Sequence, residues 1–567
     1  MREYEGAAGI QNFFNSACVY NILAGVQTNL YKCFLPQAWT FTKADGFFAF
    51  VHPDSIFDDP GAGRMREILY RKMRYHFQFI NEKLLFQEVS DTGIFGLNVY
   101  SNVETKTFDM ISNLYAPSTI DQCYSGENAY SSIPLIKDSN GDWNTQGHPK
   151  RIVKIDARLL KSIATVYDDP NEYEQTRLPA IYSDELLSII AQFAKVKLHI
   201  ADFGENVFMT QFLDETGSQK DGIISRYTHF VDDLSDFVYS GPHISIANPL
   251  FKTPRAVCIE KADFDRIDLE FVSRYYMQRS NYEVNQKLCA KRTPITPWGE
   301  KYTEKFRVVT RRMLGLNQER TLMSAIVPPK AVHIIGVFGI CFSNDRNTVL
   351  ASALFNSLPY DYLIRALGRA SFLNDSAKKM PFIDNEYSHL LVCRALLLNC
   401  LTARYEALWK KCFDNRFLED GFFKQDKRLH SKHFEALTAV WNEDIPVRSD
   451  FARRQLLIEI DVIVAKSLEL TIYQLKNLYK AQFPVLNKYE EDTWYDANGR
   501  IVFTINKGLP GVGFTRPEFE NSNVVTPIHR SDAPWDGIMK HAPAGYVFAR
   551  TITDDTMPGG CLLYTSP

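Results

Sequence analysis

Between Phe271 and Arg312 the chain places ten Lys or Arg against three Glu, with Tyr275, Tyr276, Tyr282, Trp298, Tyr302 and Phe306 threaded among them. Cations interleaved with rings suit a polyanion that also presents flat faces, which is the description of nucleic acid. Arg and Lys would neutralise phosphates and position a duplex, while an Arg or Asn reads base edges in the major groove. The side chains of that kind are Arg279, Asn281, Lys291, Arg292, Arg311, Arg312 and, a little further on, Arg320. A solvated charged face is the plain alternative for the same composition. Other chemistry finds less to work with. The ten cysteines are scattered without a C-x-x-C, and of the twelve His only His430 and His433 could share a helical face, without companion ligands, so no metal is expected. GLPGVG (508–513) lacks the Gly-Lys-Ser/Thr of a phosphate loop and reads as a turn.

These residues need elements to hold them. Leu30, Phe34, Ala38 and Phe41 recur at helical spacing, with Pro36 inside the run set to cost a hydrogen bond and kink it. FFAFV (47–51) shows no polar alternation, which predicts a strand buried on both faces, as in a parallel sheet fed by crossover helices. After the turn DDPGAG, Met65, Ile68, Leu69 and Met73 mark a second helix, and HFQFI (76–80) and FGLNVY (95–100) the next strands. Three strands with two crossover helices would be half of a doubly wound sheet. Residues 101–153 are turn-rich, and helices are expected at about 155–167 and 183–195, the second with Ser183 as N-cap. Strands and loops alternate from about 197 to 410, with a long apolar helix at about 386–412. A helical region then runs to about 480, its last helix capped by Thr471. Asn498-Gly499 within TWYDANGRIVFTI predicts a hairpin turn.

The chain has 567 residues, 45% hydrophobic and 23% charged, with a net charge of −3. The length suits about three or four domains. The near-zero balance makes the basic segment a local feature rather than part of a polycation. No apolar run reaches the ~18 residues of a membrane span, and MREYEGAAGIQNFF lacks a signal-peptide core, so a cytoplasmic location is expected. The tail CLLYTSP continues no pattern before it, which suggests truncation at that end.

Taken in order, the segments resemble adenine-N6 DNA methyltransferases. Asn29, Leu30, Tyr31, Phe34, Leu35, Gly46, Phe50, Val51 and Pro53 match the helix and strand just after that family's catalytic Asn-Pro-Pro-Tyr/Phe tetrapeptide. RMREILY and LLFQEVSDTGIFGLNVY continue as its next helix and last strand pair. NPLFKTPR (248–255), QERTLMSAIVPP (318–329), LFNSLPYDYLIR (354–365) and LLIEIDVIVAKSLELTIYQLKNLYKAQFPVL (456–486) are similar to the large Eco57I-like restriction-modification and phage-defence methylases, and the resemblance spans about 28–556.

Such enzymes flip an adenine onto an aromatic side chain, hold N6 with acceptors of the tetrapeptide, and transfer a methyl group from S-adenosylmethionine bound at the carboxyl ends of the parallel strands. The resemblance implies that Asn29 and Tyr31 help wall the cofactor pocket and that Pro53 ends the neighbouring strand. It implies that Phe86 packs on the flipped base, with an ordinary core aromatic as the alternative. The nearest tetrapeptide, Asn248-Pro249-Leu250-Phe251, has Leu for the second Pro and lies far downstream of where the motif belongs, and ADFGENVF (201–208) has a single glycine. The resemblance therefore implies a catalytic motif and cofactor loop upstream of Met1, no catalytic residue in this chain, and a half-sheet holding the last three of seven strands with an uncovered apolar edge and face.

The expected fold is thus the α/β half of a doubly wound methyltransferase sheet, a mixed α+β target-recognition region and a helical C-terminal region. The divisions are 1–125, a connector at 126–195, 196–385, 386–485, and a hairpin with tail at 486–567. The expected function is site-specific adenine-N6 DNA methylation with S-adenosylmethionine, in restriction-modification or phage defence, the chain alone being inactive. The expected partners are double-stranded DNA and other restriction or defence subunits. A non-catalytic DNA-binding specificity protein and one half of a split methyltransferase are the alternatives.

Overall fold

A computed structural model describes residues 2–509, apart from residues 15, 17–19, 27, 28, 139, 316, 317, 370 and 497, and beyond them only 540–541, 551–554 and 562–565. The final Pro-Gly-Val-Gly of GLPGVG and most of the tail lie outside the described residues. The chain forms two compact units. The first comprises Met1–Lys197, Tyr362–Arg369 and Leu470–Pro484, and the second Leu198–Asp361, Ala370–Glu469 and Val485–Pro567. The whole is mixed α/β, with several sheets and many helices. Among the described residues no helix is long and apolar enough to cross a membrane.

In the first unit, helix α1 (Leu30–Phe41) leads to strand β1 (Phe47–Pro53), then helix α2 (Gly63–Lys72), β2 (Met73–Ile80), β3 (Ile94–Ser101), β4 (Thr107–Leu114) and β5 (Val153–Asp156). The sheet order is β1-β3-β2-β4-β5. β3 runs antiparallel to both β1 and β2, which are therefore parallel to each other; β4 is parallel to β2 and β5 antiparallel to β4. The expected doubly wound parallel half is thus a mixed sheet, and only α2 is a crossover helix. β2 and β3 are joined instead by a loop, so β3 inserts between the two parallel strands.

Two further expectations change here. β1 is an edge strand, and its outward residues are exposed, Phe47 at 67%. An uninterrupted apolar run signals two covered faces only when something packs on both, and here alternate residues from Phe47 to Val51 are exposed. The stripe Leu30, Phe34 and Phe41 faces solvent, Phe41 at 82%, while Lys32, Cys33 and Leu35 face inward. Lys32 is held there by Asp59 at 2.7 Å. Helices α3 (Ala157–Tyr167, capped by Asp156) and α4 (Asp184–Phe193) follow as expected, although the Ser183 side chain makes no capping hydrogen bond. The helix Ile472–Gln482 has the Thr471 cap, completed as a box by Gln474.

The second unit is built on an antiparallel sheet of β6 (Val207–Thr210), β12 (Arg307–Arg311), β13 (Ser324–Val327) and β15 (Val337–Phe342), in the order β13-β12-β15-β6. Between β6 and β12 in the chain come β7 (Ile224–Phe230), β8 (Val238–Tyr239), β9 (Lys252–Pro254), β10 (Phe264–Arg266), β11 (Arg279–Val284) and helix α5 (Gln286–Arg292). β7 pairs β11, β9 pairs β10, and β8 pairs β14 (Val332–His333). Helices α6 (Asp345–Phe355), α7 (Ser388–Asn399) and α8 (Asp450–Ser467) bury apolar residues around their circumference, as helices do when packed on several sides. The expected helix over 386–412 breaks after Asn399. That side chain donates back to Ala395 O and accepts the Ile326 N–H, each at 2.8 Å, which offers the backbone an alternative to further helix. The hairpin of β16 (Trp494–Tyr495) and β17 (Ile501–Phe503) turns at Gly499, φ +83°, as Asn498-Gly499 predicts.

Candidate functional site

In the first unit, the residues singled out on three separate segments converge. Asn29 caps α1, its side chain accepting from the Tyr31 N–H at 3.4 Å. Tyr31 stacks on His52 (centroids 5.1 Å, planes 14° apart), and its hydroxyl meets Ser55 Oγ at 2.8 Å. Burial pushes the Tyr31 phenol up to about 12. Pro53 ends β1 opposite Phe95 of β3, and Phe86 packs edge-on against the same Phe95 ring at 4.9 Å. Since β1 and β2 run in the same direction, Asn29, Tyr31, Pro53 and Phe86 gather at the carboxyl ends of these two strands.

Phe86 rides on a constrained loop. Asn81 is fully buried and donates to the carbonyls of Phe86 and Val89, both at 2.8 Å, while accepting the Phe86 N–H at 3.0 Å. Leu84 takes φ +50°, and Phe86 is left 45% exposed.

Beneath this end lies a polar network that sequence reasoning missed. Asn98 bridges two imidazoles, its Oδ1 accepting from His76 Nδ1 at 2.6 Å and its Nδ2 donating to His52 Nε2 at 3.0 Å. His52 therefore carries its proton on Nδ1, which donates to Pro53 O at 2.8 Å, and burial pushes its pKa down. Gln78 donates to Asp54 Oδ2 at 2.8 Å; Asp54 Oδ1, 3.6 Å from His76 Nε2, is buried. Gly96 is required beside them, because a Cβ there would lie 2.7 Å from Asn98 Nδ2 and 2.8 Å from Asp54 Oδ1. Part of the signal was available as period-two polarity: His76-x-Gln78 and Asn98-x-Tyr100 place each pair on one side of its strand, and Asp54 follows the end of β1 two residues after His52.

In the second unit the basic segment does not form a single face. Lys291 and Arg292 are exposed in the last turn of α5. Arg279 is buried on β11 with its guanidinium 4.5 Å above Phe230, and Asn281 is buried, accepting the Thr228 hydroxyl. Arg312 is half-buried beside β12. Arg320 is 1% exposed and bonded to Asp461 at 2.9 Å, so it is a core ion-pair cation and its expected role as a DNA contact is corrected. Of the interleaved rings, Tyr276, Tyr282, Tyr302 and Phe306 are core residues while Tyr275 is exposed. Burial of β11 and β12 on both faces, invisible to a charge count, accounts for much of the difference.

Arg311 occupies the end of β12 and donates through Nε to Gly241 O and Ile244 O, both at 3.0 Å. It lines a cavity of about 600 Å³ together with Asn281, Lys252 and Phe251. Asn248 is a turn residue, its Oδ1 accepting the Leu250 N–H, and Gly204, φ +52°, interrupts a short 3₁₀ connection before β6. Neither has the surroundings of a catalytic or cofactor loop. Among the described residues no group of His, Cys, Asp or Glu is placed to hold a metal ion.

No protein-family model and no curated protein matches the sequence. Among solved structures the chain is similar to the DNA complex of the type IIL restriction-modification enzyme MmeI, at 10% identity and a TM-score of 0.34, covering 83% of this chain and 54% of that one. It is similar to the type IIG restriction endonuclease BpuSI, at 10% identity and a TM-score of 0.24, covering 82% and 50%. A third is the ATP-dependent type ISP restriction-modification enzyme LlaBIII bound to DNA, at 11% identity and a TM-score of 0.25, covering 81% and 35%. The chain thus spans about half, or less, of the length of these structures.

Proposed function

We propose that the chain supplies the cofactor-wall and target-binding parts of a site-specific adenine-N6 DNA methyltransferase of a restriction-modification or phage-defence system. The observation that carries the reading is the meeting of Asn29, Tyr31, Pro53 and Phe86 at the carboxyl ends of β1 and β2. Their segments follow one another in the order of the methyltransferases they resemble, and ligands of open α/β sheets bind outside such strand ends. S-adenosylmethionine would lie at this strand end, walled by Tyr31 and Pro53; bound there it supplies an activated methyl group. The network of His52, Asp54, His76 and Asn98 fixes the wall from behind. Phe86, projected by the Asn81-centred loop, would meet an extruded adenine by ring stacking. Lys291 and Arg292 would engage phosphates, with Asn281, Arg311, Arg312 and Arg279 as the further proposed duplex contacts.

The glycine-rich loop and the Asn-Pro-Pro-Tyr/Phe tetrapeptide that complete this chemistry are not among the 567 residues, so a further segment, in the same polypeptide or a partner chain, is required for transfer. The test is binding and methyl incorporation with radiolabelled S-adenosylmethionine and mixed-sequence duplex. Salt-sensitive duplex binding without incorporation, and incorporation into adenine once a segment carrying the tetrapeptide is supplied, is the expected result. Duplex binding that no such segment converts into methyl transfer would favour the non-catalytic specificity protein, and absence of duplex binding at low salt would end both readings.

A further inference from the structure

The cavity of the second unit has a composition that neither its packing nor methyl transfer accounts for. It measures about 600 Å³, within the ~300–1,000 Å³ of ordinary small-molecule sites. On one wall two cations lie over the ring of Phe251, the Lys252 ammonium 5.2 Å and the Arg311 guanidinium 5.7 Å from its centroid. Neither cation is ion-paired to any described residue. Arg311 satisfies Nε and Nη2 with the carbonyls of Gly241 and Ile244 alone. The buried Arg307 and Arg453 are also held by carbonyls, but they are enclosed in the core, whereas Arg311 and Lys252 face open volume. Burial pushes Arg311 down to about 10, and Lys252 is lowered first by burial and then by Arg311 and Arg266. Glu319 acts on Arg311 in the opposite sense, and Asp265 does so on Lys252; an anion held by both cations would favour their charged forms further.

The remaining walls limit what carries that anion. Phe264, Tyr282 and Met323 present buried apolar and aromatic surface to the cavity. Glu215, the nearest acid to Tyr282, is engaged by the Tyr282 hydroxyl and by Arg226. On another part of the wall, Asn506 donates to Glu319 at 2.9 Å, and burial pushes the Glu319 carboxyl up. A carboxyl and amide pair of this kind offers both a donor and an acceptor to the edge of a heterocycle.

We infer that this cavity binds a nucleotide, its phosphate between Lys252 and Arg311 and its base along the rings of Phe251, Phe264 and Tyr282. The inference stands on this unit alone and does not need the methyltransferase reading. The shared chemistry has two sources, a free mononucleotide or one nucleotide unit of a DNA strand.

The test uses the full chain, adenosine 5′-monophosphate, inorganic phosphate and a short duplex, by calorimetry and thermal shift. Lys252→Met is the primary variant, because the ammonium makes no hydrogen bond to a described residue. Arg311→Gln is the second, with its melting temperature as control. Saturable binding of the monophosphate, more than tenfold tighter than phosphate and weakened about tenfold or more by Lys252→Met, is expected. Competition between monophosphate and duplex identifies a strand nucleotide, and independent binding identifies a free ligand. Absence of saturable binding by monophosphate and of any Lys252→Met effect on duplex affinity overturns the inference, as does monophosphate binding that the variant leaves unchanged. Binding of S-adenosylmethionine, followed in parallel, reports on the methyltransferase reading separately.

Discussion

Arg320 and Asp461 meet with 2% and 5% of their side-chain surfaces exposed. Asp461 also accepts the Leu358 N–H at 2.7 Å. Removing the acid leaves a buried guanidinium and a backbone donor uncompensated, so Asp461→Ala should cost about 3–5 kcal/mol of stability, read from denaturant midpoints. The pair of His333 and Tyr302, joined at 2.8 Å, is equally confined. Gly339 faces it, and a Cβ there would lie 1.8 Å from the Tyr302 oxygen, so Gly339→Ala should destabilise by roughly 1–3 kcal/mol or more. Burial lowers His333 to about 3 and His243 to about 4. In the unfolded chain both would titrate near 6.5, so below that pH the unfolded state takes up protons that the native state refuses. Stability should therefore fall as the pH drops from about 6.5 towards 4, by up to a few kcal/mol, with no contribution from these groups above pH 7. A replacement of His333 by Gln should flatten that slope, and an unchanged slope would remove His333 from the account.

At the scale of elements, β1 presents the sequence FFAFV along an edge unpaired among the described residues, with no Lys, bulge or internal Pro to discourage another strand from adding to it. Val51→Lys should therefore lower concentration-dependent association, measured by light scattering, while leaving the folding stability within about 0.5 kcal/mol of the parent. The order of helix, strand, helix and strand pair from Leu30 to Ser101 was legible because helical spacing and short apolar runs are local properties. The Thr471 box and the Asn498-Gly499 turn were legible for the same reason. What was not legible depends on neighbours. Which side of α1 faces inward is decided by Lys32 reaching Asp59, 27 residues away, and not by the stripe of Leu30, Phe34 and Phe41. The antiparallel insertion of β3 likewise follows from pairing across a loop. The candidate site was half legible: Asn29, Tyr31, Pro53 and Phe86 could be named from the resemblance, but His52, Asp54, His76 and Asn98 needed the strand register. The basic segment misled in the other direction, since a cation such as Arg320 is a core residue that a count of charge cannot tell from a surface one.

At the scale of the molecule, the two units do not correspond to two successive stretches of chain. The first takes Met1–Lys197 and then Tyr362–Arg369 and Leu470–Pro484. Those returning segments are bonded into it: Tyr167 donates to Leu363 O, the Ala180 N–H to Ala366 O, and Gln474 to Ser188. A fragment ending at Lys197 should therefore lose cooperative unfolding, judged by calorimetry, even though it retains the whole five-stranded sheet. The polypeptide passes between the units five times, at Lys197, Asp361, Arg369, Glu469 and Pro484. Genetic exchange of the second unit as a cassette would then require several coordinated breakpoints instead of two. Under the proposed role in target binding, that unit is set to diversify by substitution in place rather than by shuffling, and libraries aimed at its binding should be built the same way.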